Sequence, residues 1–122
     1  MHDLTDKHLS LQQLIGEQLS SVTFVMDYFQ LHFDGPFINV TSDLTTVRLG
    51  SEISKSWDDR FRNMLCGQIQ KIVRSVRIIE DQSLTIKFEE DSEIIVSLKP
   101  EDQSGPEAIY YAGFEDNGWG VL

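Results

Sequence analysis

Leu11-Gln12-Gln13-Leu14-Ile15-Gly16-Glu17-Gln18-Leu19-Ser20-Ser21-Val22-Thr23-Phe24 is echoed 54 positions later by Leu65-Cys66-Gly67-Gln68-Ile69-Gln70-Lys71-Ile72-Val73-Arg74-Ser75-Val76-Arg77-Ile78. Leu11 stands over Leu65, Ile15 over Ile69, Leu19 over Val73, Ser21 over Ser75, Val22 over Val76 and Phe24 over Ile78. One inserted residue after Asp27 and Asp81 carries the match onward, with Phe29-Gln30-Leu31-His32-Phe33-Asp34-Gly35 over Leu84-Thr85-Ile86-Lys87-Phe88-Glu89-Glu90. A further shift sets Phe37-Ile38-Asn39-Val40 over Glu93-Ile94-Ile95-Val96. Apolar residues at 29/31/33 and 84/86/88 alternate strictly with polar ones, the pattern of strands with one buried face.

Each unit therefore reads as a helix followed by a three-stranded meander. The first helix is predicted to start at a Thr5 or Asp6 cap and to carry Leu11, Leu14, Ile15 and Leu19. The second is predicted to start at Ser54 or Ser56 and to carry Trp57, Phe61, Met64, Leu65 and Ile69 on one stripe. Strands are expected over Val22–Met26, Phe29–Phe33, Phe37–Thr41, Val76–Glu80, Leu84–Glu89 and Glu93–Leu98. Asp34-Gly35-Pro36 and Glu90-Asp91-Ser92 are the turns. The stretch 42–50 has room for an extra strand ended by Gly50, and 99–106 is a loop by composition. Residues 107–114 are expected to run as a helical turn into a strand, and Asp116-Asn117-Gly118 turns the chain into a short strand at Trp119–Leu122. The expected fold class is α+β, two helix–β-meander units forming antiparallel sheet or sheets with two main helices. The whole is one domain of 122 residues, with unit one at about 5–42, unit two at about 54–98 and a C-terminal hairpin at about 107–122.

Leu14-Ile15-Gly16 before Val22, then Phe33-Asp34-Gly35, and in the second copy Leu65-Cys66-Gly67, Val76 and Phe88-Glu89-Glu90 followed by Pro106-Glu107-Ala108, give a doubled pattern. That pattern resembles a family of small bacterial proteins of unknown function. The resemblance implies a duplicated fold and no catalytic residues. The second copy lacks the family's Asp-Gly pair.

Hydrophobic residues at 40% and charged ones at 25% describe a chain able to fold around a core. A net charge of -10 argues against nucleic acid and anionic membranes as partners. No apolar run approaches the ~20 residues needed to span a bilayer, and the first residues lack the basic and apolar regions of a secretory signal. A cytoplasmic location is the expectation. The single Cys66 excludes an internal disulfide framework.

Candidate chemistry is sparse. Cys66 would need a basic partner to become a nucleophile, and on an apolar helix face it reads instead as a small buried hydrophobe. His2 and His8 are an unpromising metal pair, His32 points away from the face of Leu31 and Phe33, and the run Glu89–Glu93 lacks calcium-loop spacing. No enzyme activity, metal or cofactor is expected.

Charge is unevenly spread. Residues 1–42 carry net -4, residues 43–78 net +3 with Lys55, Arg60, Arg62, Lys71 and Arg74 assigned to the second helix, and residues 79–122 net -9. Expected partner-binding residues lie in that acidic third: Glu89, Glu90, Asp91, Glu93, Tyr110, Tyr111, Glu115, Asp116 and Trp119. The expected function is a non-enzymatic protein-binding module, of which an immunity-type inhibitor of a basic toxin is one form. The alternative is a homo-oligomeric domain binding a small ligand in a groove between the repeats, and a third reading is a structural protein without ligand.

Overall fold

The computed structural model describes residues 3–122, so His2 of the His2/His8 pair lies outside the described residues. Ten strands form two five-stranded antiparallel sheets, and two short helices complete an α+β fold. In chain order come α1 (Leu9–Gln12), β1 (Leu19–Val25), β2 (Tyr28–Phe33), β3 (Phe37–Val40), β4 (Thr45–Leu49), β5 (Glu52–Lys55), α2 (Phe61–Cys66), β6 (Val73–Ile79), β7 (Ser83–Phe88), β8 (Ser92–Ser97), β9 (Ile109–Ala112) and β10 (Gly120–Val121). The first sheet has the order β1-β2-β3-β9-β10 and the second β6-β7-β8-β4-β5.

That order exposes an exchange. Each unit makes its own meander, β1–β3 or β6–β8, but the hairpin that follows it, β4–β5 after the first and β9–β10 after the second, crosses over to extend the other unit's meander. The exchanged pairs match in register: Ile38 faces Tyr111 and Val40 faces Ile109 in the first sheet, as Ile94 faces Val47 and Val96 faces Thr45 in the second. The meanders match as well. Leu31 opposite Ile38 corresponds to Ile86 opposite Ile94, which is the second shift seen in the sequence. A β-bulge interrupts β1 between Leu19 and Ser21, and its counterpart interrupts β6 between Val73 and Ser75.

Where the units meet, the main-chain bonds are reciprocal, as across a local twofold axis. Gly16 N–H donates to Val73 O (2.9 Å) and Gln70 N–H to Leu19 O (2.8 Å). Leu19 N–H donates to Lys71 O (3.1 Å) and Val73 N–H to Glu17 O (2.9 Å), around an antiparallel bridge between Gln18 and Ile72. Gly16 and Gln70 share a left-handed backbone, with φ of +90° and +82°.

Period-two alternation turns Leu31, Ile38, Val40, Ile109 and Tyr111 of one sheet, and Ile78, Leu84, Ile86, Ile94 and Val96 of the other, into a single apolar core. Leu11, Leu14, Phe61 and Leu65 from the helical segments join that core, and α2 packs against β1, β4 and β5 while α1 packs against β6.

The helices depart most from expectation. Thr5–Lys7 is one 3-10 turn without a side-chain cap on α1, and α1 itself has only four residues. Gly16 and Glu17 leave the helix because their main chain is used in the ladder at the axis. Leu19 opens β1, and Ile15 is exposed rather than part of an apolar stripe. Ser54 caps no helix: it lies buried in β5, opposite Val47, and Ser56 bonds the Thr45 main chain. α2 starts only at Phe61, so Trp57 is left exposed and Ile69 lies beyond its end. The five basic residues assigned to that helix consequently scatter over β5, the turn before α2, α2, the loop after it and β6. Cys66, expected to be buried, is exposed at the last position of α2.

Candidate functional site

Residues alternating with the core point outward from each sheet. On the first sheet they are Gln30 and His32 of β2, Phe37 and Asn39 of β3, and Tyr110 of β9, followed by Trp119 just before β10. The register sets His32 beside Phe37 and Asn39 beside Tyr110. Their rings form a continuous row: His32 to Phe37 at 6.2 Å, Phe37 to Tyr110 at 6.0 Å and Tyr110 to Trp119 at 6.5 Å between centroids. All three contacts are tilted, within the spacing at which aromatic pairs attract. Trp119 ends the row with 68% of its surface exposed. His32 Nε2–H donates to Gln30 Oε1 (3.0 Å), while Asn39 Oδ1 has no hydrogen-bond partner among the described residues. The face thus offers flat ring surface, with the Asn39 amide oxygen buried beside it.

The second sheet carries none of this at the matching positions. Lys87 stands where the first has His32, Glu93 where it has Phe37, Thr46 where it has Tyr110, and the exposed Ile53 where it has Trp119, so no aromatic ring recurs there. Arg48 there pairs with Glu93 (3.2 Å) and Asp91 (3.3 Å), and the two carboxylates hold the guanidinium above its ordinary pKa.

The expected partner-binding residues divide between the two sheets. Glu89, Glu90 and Asp91 form the exposed tip between β7 and β8, with Glu90 and Asp91 both left-handed. Glu93 lies on the second sheet, 9% exposed and committed to Arg48. Tyr110, Glu115, Asp116 and Trp119 belong to the end of the first sheet and its β9–β10 loop. Tyr111, next to Tyr110, points inward by alternation and is buried against Phe114. Its hydroxyl shares a 2.7 Å hydrogen bond with His8 Nδ1. Burial pushes the Tyr111 phenol up, with the Asp116 charge adding to it, and burial pushes His8 down, with Lys7 adding to it.

Asp116 organises the β9–β10 loop. It accepts bonds from the Gly118 N–H (2.7 Å), the Ser10 hydroxyl (3.0 Å) and the Gln13 amide (2.7 Å). The Gly118 bond first, and the two side chains after it, hold its carboxyl below the usual range. With Glu17, Asp34 and Glu115 it lines a cleft at this end of the first sheet, an acidic rim on the loop that carries Trp119.

Two residues of the row, His32 and Phe37, lie outside the expected set. The signal that points to Phe37 is its place in β3: an aromatic ring at the outward position of a strand whose other side holds Ile38 and Val40. No cluster of three or more His, Cys, Asp or Glu with metal-ligand spacing occurs among the described residues. Both described histidines are bonded to groups other than Cys66. Among the described residues no helix is long and apolar enough to cross a membrane. Comparison with protein-family models, with curated proteins and with solved structures finds no match for this chain.

Proposed function

We propose that this chain is a non-enzymatic protein-binding module whose docking face is the outer side of the first sheet. The observation that carries the reading is the His32–Phe37–Tyr110–Trp119 row, outward-facing and without counterpart on the second sheet. Tyrosine and tryptophan concentrate at interface centres because they cover large areas at little cost in side-chain freedom. The net charge of -10 and the acidic rim of Asp34, Glu115 and Asp116 favour a basic partner, of which a toxin held by an immunity-type inhibitor is one class.

The competing reading, a groove between the repeats, has less support at the axis itself. At the axis the units are joined by main-chain bonds, and Leu19 and Val73 beside it are buried.

Affinity capture from a lysate of the source organism tests the proposal, with the natural chain run beside a Phe37→Ser/Trp119→Ala variant. A basic protein retained by the first and lost by the second, with association slowed by salt, is the expected result. Equal retention by both overturns the assignment of the face.

A further inference from the structure

The two units differ at the free edge of their first strand. In the second unit the edge of β6 is occupied by the chain's own N-terminal segment. Leu4 N–H donates to Ile78 O (2.8 Å), Ile78 N–H donates to Thr5 Oγ1 (3.1 Å), and Asp3 forms an antiparallel bridge with Ile79. The Gln12 side chain donates to Val76 O (3.2 Å), Asp3 pairs with Arg77 at 3.3 Å, and Leu4 packs against the core.

In the first unit Phe24 and Val22 hold the matching places, opposite Phe29 and Leu31 as Ile78 and Val76 stand opposite Leu84 and Ile86. The two-residue turn Met26-Asp27 makes Val25 and Tyr28 a mutually bonded pair. By ladder alternation the N–H and C=O of Phe24 and Val22 then point away from β2, toward the edge. Among the described residues nothing is bonded there.

The reason lies in the matching segment. Trp57–Asp59, the counterpart of Asp3–Thr5, is drawn back toward β5, where Asp58 Oδ2 accepts from Lys55 N–H (2.9 Å) and Ser54 Oγ (3.3 Å). Cys66 stands where the second edge is served by Gln12. Beside the open edge runs a groove of about 250 Å³ lined by Phe24, Phe29, Phe61 and Arg62 among others. The Arg62 guanidinium lies 4.7 Å from the centre of the Phe24 ring.

We propose that the β1 edge at Val22–Val25 accepts an extended partner segment as an additional antiparallel strand. The occupant is specified by what fills the matching edge: a leucine-like residue followed by a hydroxyl residue, with no acid required because Thr23 stands where Arg77 pairs with Asp3. The partner's main-chain N–H and hydroxyl meet Phe24 O and N–H, and its apolar side chain enters the groove. Strand addition of this kind gives affinity through main-chain bonds and selectivity through alternate side chains. An unpaired edge left free is otherwise a site of self-association. This edge and the aromatic row are separate surfaces, so failure of one leaves the other standing.

The probe is the capped hexapeptide His-Asp-Leu-Thr-Asp-Lys, the sequence of residues 2–7, titrated into the full-length 15N-labelled chain. Amide shifts confined to Val22–Met26, Phe61 and Arg62, with slowed hydrogen exchange at Phe24, are expected. The same peptide N-methylated at leucine lacks the donor that Leu4 uses and should bind about tenfold more weakly, as should the peptide with its leucine replaced by serine, which leaves the groove unfilled. Shifts centred on Ile78 and Ile79, equal binding of the N-methyl peptide, or a concentration-dependent dimer through β1 would each overturn the proposal.

Discussion

Gln70 offers a direct measure of how closely the two units correspond. Its φ of +82° matches the +90° of Gly16, and both residues donate their N–H across the axis. A side chain in this left-handed region costs about 1–2 kcal/mol. Gln70→Gly removes that cost but gives the unfolded chain back about 0.4–1 kcal/mol of freedom. Gln70 is exposed, and the bond it accepts from Gln18 Nε2 uses its main-chain oxygen, so losing the side chain forfeits little else. The net expectation is a gain of about 0.5–1 kcal/mol. Gly16→Ala should lose about the same, because a Cβ there meets nothing within 4 Å and only the backbone resists. At about 2 cal/mol/K of unfolding entropy per residue, a chain of this length shifts by roughly 2–4 °C in Tm for each change. Urea unfolding read by circular dichroism gives both values, with unchanged m-values as the two-state check. A loss of more than 1 kcal/mol in Gln70→Gly would refute the reasoning, since the side chain, and not a shared turn, would then be holding the axis.

Gly113→Ala should be far more damaging: at φ +85° its Cβ would stand 2.5 Å from Gly35 O and 3.2 Å from Pro36 Cα, for a loss of about 2–4 kcal/mol by urea unfolding. Gly35→Ala, with its nearest neighbour at an ordinary 3.5 Å, should cost only about 0.5–1 kcal/mol in the same assay, as for Gly16→Ala. Trp119→Ala should leave stability within about 0.5 kcal/mol, whereas Ile38→Ala in the core should cost about 2–5 kcal/mol, which separates binding from folding on the first sheet. Thermal melts from pH 7.5 down to 5 should show stability falling below pH 6.5. Burial holds the folded His8 pKa below its ordinary 6.5, so the unfolded chain takes up a proton that the folded chain resists. His8→Gln should flatten that slope; an unchanged slope would assign it to other groups. Asp116, also lowered, adds its own loss only at more acid pH, below 3.8.

The six meander strands were legible because alternation is local. Each falls within three residues of its expected start, and the first inserted residue is the difference between the turns Met26-Asp27 and Glu80-Asp81-Gln82. The helices were not legible in the same way, because local apolar spacing lost to distant main-chain partners. Gly16 and Glu17 are taken by Val73, and Ser54 by β4. The exchange of hairpins left no local trace either: β4 pairs with β8 more than forty residues away, and nothing in Thr45–Leu49 says which sheet it joins. The same distance hid half of the aromatic row. Tyr110 outward and Tyr111 inward follow from alternation within β9, whereas Phe37, the neighbour of Tyr110, comes from β3 of the other unit.

Matched interiors and unmatched exteriors bear on what the first sheet's face is for. Leu11 and Leu65, Leu19 and Val73, Leu31 and Ile86, Ile38 and Ile94, and Val40 and Val96 occupy equivalent buried places, so the packing demands of the two sheets are the same. A need of the fold for outward aromatics would therefore be felt at Lys87, Glu93 and Thr46 too. The second sheet folds with an Arg48–Glu93 ion pair there instead, which shows that polar groups serve these positions adequately. The row on the first sheet thus carries apolar surface that its own framework does not require, down to a tryptophan left largely in water. The second sheet exposes apolar surface as well, at Ile53 and Leu49, so what sets the first sheet apart is its aromatic rings, and it is those rings that the Phe37→Ser/Trp119→Ala variant removes.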